Sequence, residues 1–216
     1  MQSGTIILLN GTSSSGKTSI ARALLDVRDC PYFYVGVDHF NSMRPGWSLG
    51  NETTSEGVAM NSALHHAVAA LARNGWSVIL EHVLVNPVYR RECIDLLVEY
   101  PVLFVGVRCP LDVLERRERE RSDRTIGIAR DQFERAHAHG MYDIEVDTSL
   151  HNPVECAQQI QRRLADGRPF TALHRLREQW PIRAAGDPIS EGLTRRVSSY
   201  PGPGVRAGED LVGKGI

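Results

Sequence analysis

Five short apolar runs mark the first two-thirds of the chain: residues 5–10, 32–37, 77–82, 102–107 and 144–147. Each has strand length and is rich in Val, Ile, Leu and aromatic residues. They are apolar almost throughout rather than alternating with polar residues, as a strand must be when both its faces are covered. Segments with a helical period lie between them. From Ser19 to about Val27, the residues Ile20, Leu24 and Val27 fall on one face. Residues 58–73 form a second helix, closed by Asn74-Gly75. Pro87 opens a third, and Pro110 starts a strongly charged fourth. Residues 130–139 and 154–164 complete the set, the last opened by Asn152-Pro153. Strands that alternate with helices in this way predict an α/β domain, a parallel sheet of five strands with helices on both faces.

Two stretches do not fit this rhythm. Residues 39–57 are rich in Gly, Ser and Asn with Met43 and Trp47 embedded, and they are too long for a plain connection, so a functional loop is expected there. From about Arg168, Pro, Gly and Arg accumulate. The expected organisation is a domain over residues 1–167, with a lid near 116–130. Residues 168–216 would then be an extension, partly disordered or loosely docked, with a short helix around 172–179.

The first strand runs into Gly11-Thr12-Ser13-Ser14-Ser15-Gly16-Lys17-Thr18. This matches the phosphate-binding loop G-x-x-x-x-G-K-[ST] at every position, with a strand before it and a helix after it as the motif requires. Small residues let successive N–H groups curl around a phosphate chain. Gly11 and Gly16 tolerate backbone angles that other residues resist, and the following helix points its positive end at the anion. Lys17 would neutralise the β and γ oxygens, and the Thr18 hydroxyl would hold Mg²⁺. ATP or GTP, with Mg²⁺, is therefore the expected ligand. The loop by itself does not separate a kinase from a nucleotide hydrolase or switch.

Other residues narrow the choice. Asp38 follows the second strand at its carboxyl end, the ligand edge of such a sheet. A kinase needs a carboxylate there to take the proton of an attacking hydroxyl, although an aspartate at a turn would look the same. Glu81 ends the third strand and could hold Mg²⁺ through water, or serve only in a salt bridge. His82, beside it, reads as a polar residue at a strand end. Arg116, Arg117, Arg119, Arg121 and Arg124 interleave with Glu115, Glu118 and Glu120, as on a solvated helix face. Arg117, Arg121 and Arg124, however, share the spacing i, i+4, i+7 and run into DRTIGIA, an arrangement suited to closing arginines over a transferring phosphoryl group. His65-His66, His137 and His139 have no H-E-x-x-H pattern or carboxylate cluster around them, so a metal reading is set aside.

Composition removes several classes. A net charge of -1 provides no overall basic field for nucleic acid. No apolar stretch reaches membrane-spanning length, and the N-terminus has no signal-peptide pattern. Cys30, Cys93, Cys109 and Cys156 are widely separated and read as reduced thiols of a cytoplasmic protein. The expected partner is a small molecule bearing a hydroxyl. Homo-oligomerisation is left open.

Taken together, residues 5–18, the VGVD at 35–38, VGVRCPLDVLERRERERSDRTIGIA and YDIEVDTSLHNPVECA resemble chloramphenicol phosphotransferase and its relatives. The likeness covers about residues 5–165. It implies a small P-loop kinase of the nucleoside-monophosphate-kinase-like fold, a three-layer sandwich with strand order 2-3-1-4-5. It also implies ATP-dependent phosphorylation of a hydroxyl on a small molecule, with antibiotic inactivation as the best-known outcome. By position, it gives Lys17 and Thr18 to phosphate and Mg²⁺, Asp38 to the base, and Arg117, Arg121 and Arg124 to the lid. Asp147-Thr148 would lie near the nucleotide base. A nucleotide or metabolite kinase of the same fold is the alternative enzyme, and a nucleotide-binding regulator without kinase activity is the alternative of another class.

Overall fold

A computed structural model describes residues 2–26, 31–43, 54–121 and 126–180. They lie in one unit spanning residues 1–182, while residues 183–216 form a second unit outside the described residues. The five apolar runs form one parallel sheet: β1 Ile6–Asn10, β2 Tyr32–Gly36, β3 Ser77–His82, β4 Val102–Arg108 and β5 Ile144–Asp147. Its order is β2-β3-β1-β4-β5, as the resemblance implies. Strand β1 pairs with β3 on one side and β4 on the other, so its backbone is bonded along both edges.

Burial explains the non-alternating strand sequences. Ile6 and Leu8 point into one core layer with Val78, Leu80 and Phe104. Ile7 and Leu9 point into the other with Ile79, Leu103 and Val105. Helices α3 (Ser55–Arg73) and α4 (Pro87–Leu97) cover the first layer, and α1 (Lys17–Leu25) and α7 (Pro153–Ala165) the second. The result is a three-layer α/β/α P-loop kinase fold.

Differences from the sequence expectation are local. Asp38 lies in a short helix, α2 (Val37–Ser42), rather than on a strand end leading to a loop. Helix α3 starts at Ser55, where Thr54 accepts the Gly57 N–H as a side-chain cap. Residues 44–53 of the expected functional loop, with Trp47, lie outside the described residues. The segment expected as one helix over 130–139 is a short helix α6 (Ile128–Gln132) followed by a 3₁₀ turn, Arg135–His137.

The packed unit also extends past residue 167. Helix α8 (Ala172–Gln179) buries Leu173 and Leu176 in the first core layer. Asp143 accepts the Thr171 and Ala172 N–H groups at 2.8 and 3.1 Å, which caps the start of α8. Arg163, only 7% exposed, donates to the carbonyls of Arg168 and Pro169 and lies 5.1 Å from the Phe170 ring centre. These contacts tie residues 168–172 to the end of α7.

Three buried histidines and the half-buried His137 carry an electrostatic consequence. Burial pushes His65 and His82 below the ordinary imidazole value, His82 strongly. Burial and the Arg108 charge push His137 down to about 3, and burial with the Arg90 and Arg108 charges pushes His139 down to about 4. Each is neutral when folded and binds a proton more readily when unfolded, so stability is complete above pH 6.5 and falls as the pH drops towards 4.

Two measurements follow. Urea midpoints should fall between pH 6.5 and 4.5, each histidine adding at most about 1.4 kcal/mol per pH unit. A flat profile across that window would show that the rings are not buried as neutral groups. Separately, a chain ending after Arg168 should be less stable than one ending after Trp180 by about 3–6 kcal/mol, the burial value of Leu173 and Leu176. Equal midpoints would mean that α8 does not stabilise the core.

Candidate active site

Strand β1 ends at Asn10, which is fully buried. Its side-chain carbonyl accepts the Leu84 N–H at 2.9 Å, and its amide nitrogen donates to the Ala136 carbonyl at 2.7 Å and the Tyr142 hydroxyl at 2.8 Å. The end of the central strand is thereby fixed to the segments that follow β3 and α6. The phosphate loop starts at the next residue. A Cβ on Gly11 would come within 2.6 Å of the Val107 carbonyl oxygen, so no larger residue fits against β4. Gly16 caps helix α1 at φ 91°, a conformation side chains resist. Ser14 also has positive φ, at 64°.

The loop fits a phosphate chain. The hydroxyl oxygens of Ser13, Ser14 and Ser15 are buried without a hydrogen-bond partner. Such groups are costly unless a ligand or water satisfies them. Lys17 is only 5% exposed and donates from Nζ to the Thr12 carbonyl at 2.8 Å, which holds its charge against the loop. Helix α1 starts there, with its positive end at the same point. A divalent cation also fits the donor set. The Thr18 hydroxyl donates to the two oxygens of Glu81 at 2.9 and 3.0 Å, and Tyr34 donates to Glu81 at 2.6 Å. Hydroxyl and carboxylate oxygens are the donors that Mg²⁺ prefers. Burial and the adjacent Glu81 carboxylate push the Tyr34 phenol well above its ordinary value, so it stays a proton donor to Glu81.

Ser13, Ser14, Lys17, Thr18 and Glu81 open into one cleft of about 1340 Å³. On the β2–β3 side its wall includes Asp38, Asn41, Met60, Asn61, Glu81 and His82. On the β5 side it includes Arg117, Arg121, Gln132, Thr148, His151 and Asn152. Of the residues singled out in the sequence, Ser13, Ser14, Gly16, Lys17, Thr18, Asp38, Glu81, Arg117 and Arg121 line this cleft. Gly11, Thr12 and Ser15 complete the loop behind it. Arg124 lies outside the described residues.

The arginine-rich helix is less solvated than its charges suggest. Helix α5 (Leu111–Arg119) ends before Arg121. Arg117 donates to the Thr148 hydroxyl and carbonyl at 2.9 and 2.8 Å, and Thr148 in turn donates to the Ser15 carbonyl at 2.8 Å. The charge of Arg117 is thus fixed against the phosphate loop through Thr148. Glu118 is 1% exposed and is not part of a surface ladder. It accepts the N–H groups of Gly127 and Ala129 at 2.7 and 2.8 Å, and so holds the start of α6. Gln132, on α6, accepts the Ser13 N–H at 2.9 Å. No local sequence signal marks Gln132, whose partner lies more than a hundred residues away. Glu118 could have been suspected only from its place, on the same buried face as Leu114 one turn before.

A central parallel sheet of this order, a phosphate loop after its middle strand, a hydrogen-bonded Thr18–Glu81 pair and a carboxylate on the same edge are the features of a P-loop kinase. The sequence profile described as "Chloramphenicol phosphotransferase-like protein" matches residues 4–165, and the chain belongs to that family. "Putative O-phosphotransferase Rv2636" of Mycobacterium tuberculosis strain H37Rv is 30% identical over 204 residues, covering 83% of this chain and 91% of the relative. The protein is accordingly a kinase of this family, and membership implies the use of ATP. Solved structures share the fold. The Mycobacterium tuberculosis APS kinase CysC in complex with AMPPNP and APS superposes with a TM-score of 0.61 at 19% identity, covering 76% of this chain and 99% of that one. The Deinococcus radiodurans tunicamycin resistance protein superposes with a TM-score of 0.58 at 18% identity, covering 75% and 96%. For shikimate kinase from Acinetobacter baumannii the TM-score is 0.56 at 13% identity, covering 76% and 94%. Among the described residues, no helix is long and apolar enough to cross a membrane.

The anchoring role of Glu118 is open to direct measurement. Glu118→Gln keeps the shape but turns one of two acceptor oxygens into a donor that faces an N–H. It should cost about 1.5–3 kcal/mol of stability and speed hydrogen exchange at the Gly127 and Ala129 amides. Unchanged exchange at both amides would mean that α6 is held by other contacts.

Proposed function

We propose that the enzyme transfers the γ-phosphoryl group of ATP to a hydroxyl of an uncharged small molecule, with Asp38 as the base. The observation that carries this reading is the placement of the Asp38 carboxylate on the same cleft as Lys17 and the Thr18–Glu81 pair. A new bond forms between the acceptor oxygen and the γ-phosphorus while the bond to the β–γ bridging oxygen breaks, leaving ADP. The acceptor proton passes to Asp38. Lys17 and the loop N–H groups stabilise charge on the phosphate oxygens, and Arg117 and Arg121 face the same space from the other wall. Arg124 is assigned to that group by its spacing alone. Mg²⁺, held by Thr18 directly and by Glu81 directly or through water, would neutralise phosphate charge.

The acceptor class follows from charge. Among the described residues, the β2–β3 wall has two carboxylates, Asp38 and Glu81, and the amides of Asn41 and Asn61. The described residues of the same wall add the apolar surfaces of Val37, Met60, Val83 and Tyr89, and among them there is no arginine or lysine beyond the phosphate-loop Lys17. An anionic acceptor would meet like charge there without a counter-ion. An uncharged acceptor with apolar surface fits, and hydroxylated antibiotics are one such class. A nucleotide or acidic metabolite fits less well.

The test is incubation with ATP-Mg²⁺ and a panel of hydroxylated antibiotics, uncharged metabolites and anionic metabolites, scored by mass spectrometry for the gain of one phosphate. Phosphorylation confined to anionic acceptors overturns the assignment of class. Asp38→Asn should lower kcat by ~10²–10⁴-fold, with nucleotide affinity nearly unchanged because the loop holds ATP. Full turnover in that variant would make Asp38 a helix-end residue only.

A further inference from the structure

One backbone N–H of the phosphate loop is taken up by a side chain from far along the sequence. Ser13 N–H donates at 2.9 Å to Oε1 of Gln132, a residue of α6 that is 7% exposed and 119 positions away. The carbonyl of the same peptide unit, that of Thr12, accepts from Lys17 Nζ at 2.8 Å. The carbonyl and N–H of a trans peptide point in opposite directions. Lys17 and Gln132 therefore hold one peptide unit from its two sides.

A backbone N–H can only donate, and this settles which end of the Gln132 amide faces the loop. Oε1 is turned to Ser13, and Nε2 with its two protons is turned away from it. Among the described residues Nε2 has no hydrogen-bond partner, and it is not sealed from solvent. The solvent it meets is the cleft, since Gln132 is part of the cleft wall together with Ser13, Ser14 and Lys17. The support behind it is firm. Gln132 ends α6, whose start is held by the buried Glu118 carboxylate at the Gly127 and Ala129 N–H groups. Asp131, the adjacent carboxylate on that wall, is paired with Arg135 at 2.6 Å, which offsets its charge.

We propose that Gln132 contacts the phosphoryl group being transferred: Nε2 donates a hydrogen bond to an oxygen of the γ-phosphate. The inference rests on the kinase reading above and adds a residue to it. The terminal phosphate is selected because Lys17, which serves the β and γ oxygens in a loop of this type, holds the other side of the same peptide unit. An amide that accepts from Ser13 N–H is polarised by that bond and donates more strongly through Nε2. The loop thus exchanges one N–H for two protons that reach further into the cleft. The contact carries no net charge, so it orients the phosphoryl group while Lys17 and the arginines balance its charge.

The test needs no acceptor. Binding of ADP and of a non-hydrolysable ATP analogue, both with Mg²⁺, is measured by calorimetry on the full chain and on Gln132→Glu. The variant has nearly the same shape and keeps an oxygen for Ser13 N–H, but it replaces the donor with a second, anionic acceptor. Affinity for the ATP analogue should fall about tenfold or more, the value of a hydrogen bond to a charged group, while ADP affinity changes less than about threefold. The urea midpoint should stay near that of the wild type, because the bond to Ser13 is kept. Equal losses for both nucleotides, or no loss for either, overturn the proposal, and Gln132 then only braces α6 against the loop. Gln132→Met, with neither donor nor charge, gives a second reading should the glutamate variant fold poorly. It should also narrow the preference for the ATP analogue over ADP, and an unchanged ratio overturns the contact. A wild-type chain that binds neither nucleotide sinks the kinase reading and this contact with it. Absence of phosphorylation across the acceptor panel bears on the kinase reading alone, since the binding ratio is read without an acceptor.

Discussion

The site depends on the fixing of one strand end. Strand β1 is covered on both faces and bonded on both edges, and Asn10 at its end is bonded through both ends of its amide. A buried primary amide with unmet partners costs as much as a lost hydrogen bond and more. Here the carbonyl and both protons are matched. The phosphate loop therefore starts from an immobile point, and its backbone N–H groups hold their aim before any ligand arrives. Preorganisation of this kind matters most in phosphoryl transfer, where the protein contributes position and charge rather than covalent chemistry.

From that point two walls face each other across the cleft. The β2–β3 wall has the carboxylates Asp38 and Glu81, two asparagines and the His82 ring, which burial holds uncharged. The β5 wall has Arg117 and Arg121 beside Glu120 and Asp131, and Arg117 is bonded through Thr148 to the loop itself. The helix that bears the arginines is tied down by a buried carboxylate, Glu118, bonded to the start of α6, and α6 reaches the loop through Gln132. Position of the arginine wall and position of the loop are thus mechanically linked.

Much of this was written in the sequence itself. Strands buried on both faces cannot alternate, so five uniformly apolar runs announced a covered parallel sheet. A phosphate loop must be built from small residues at fixed spacing, because backbone N–H groups do the binding, and residues 11–18 show it at once. Asp38 and Glu81 were legible because the carboxyl edge of such a sheet is where ligands bind. Whatever depends on side chains meeting across long chain distances was not legible. Glu118 looked like one more charge on a solvated face until the fold brought Gly127 and Ala129 to it. His82 looked like a polar strand end, and only packing against His65 and Tyr89 buried it and held its ring neutral. Helix α8 was expected as a short helix in a loosely held extension, and its burial against the core, with Asp143 capping its start, came from the fold. Local pattern sets which backbone conformations are affordable. Desolvation and hydrogen-bond partnership are properties of the packed interior, and those the tertiary structure alone decided.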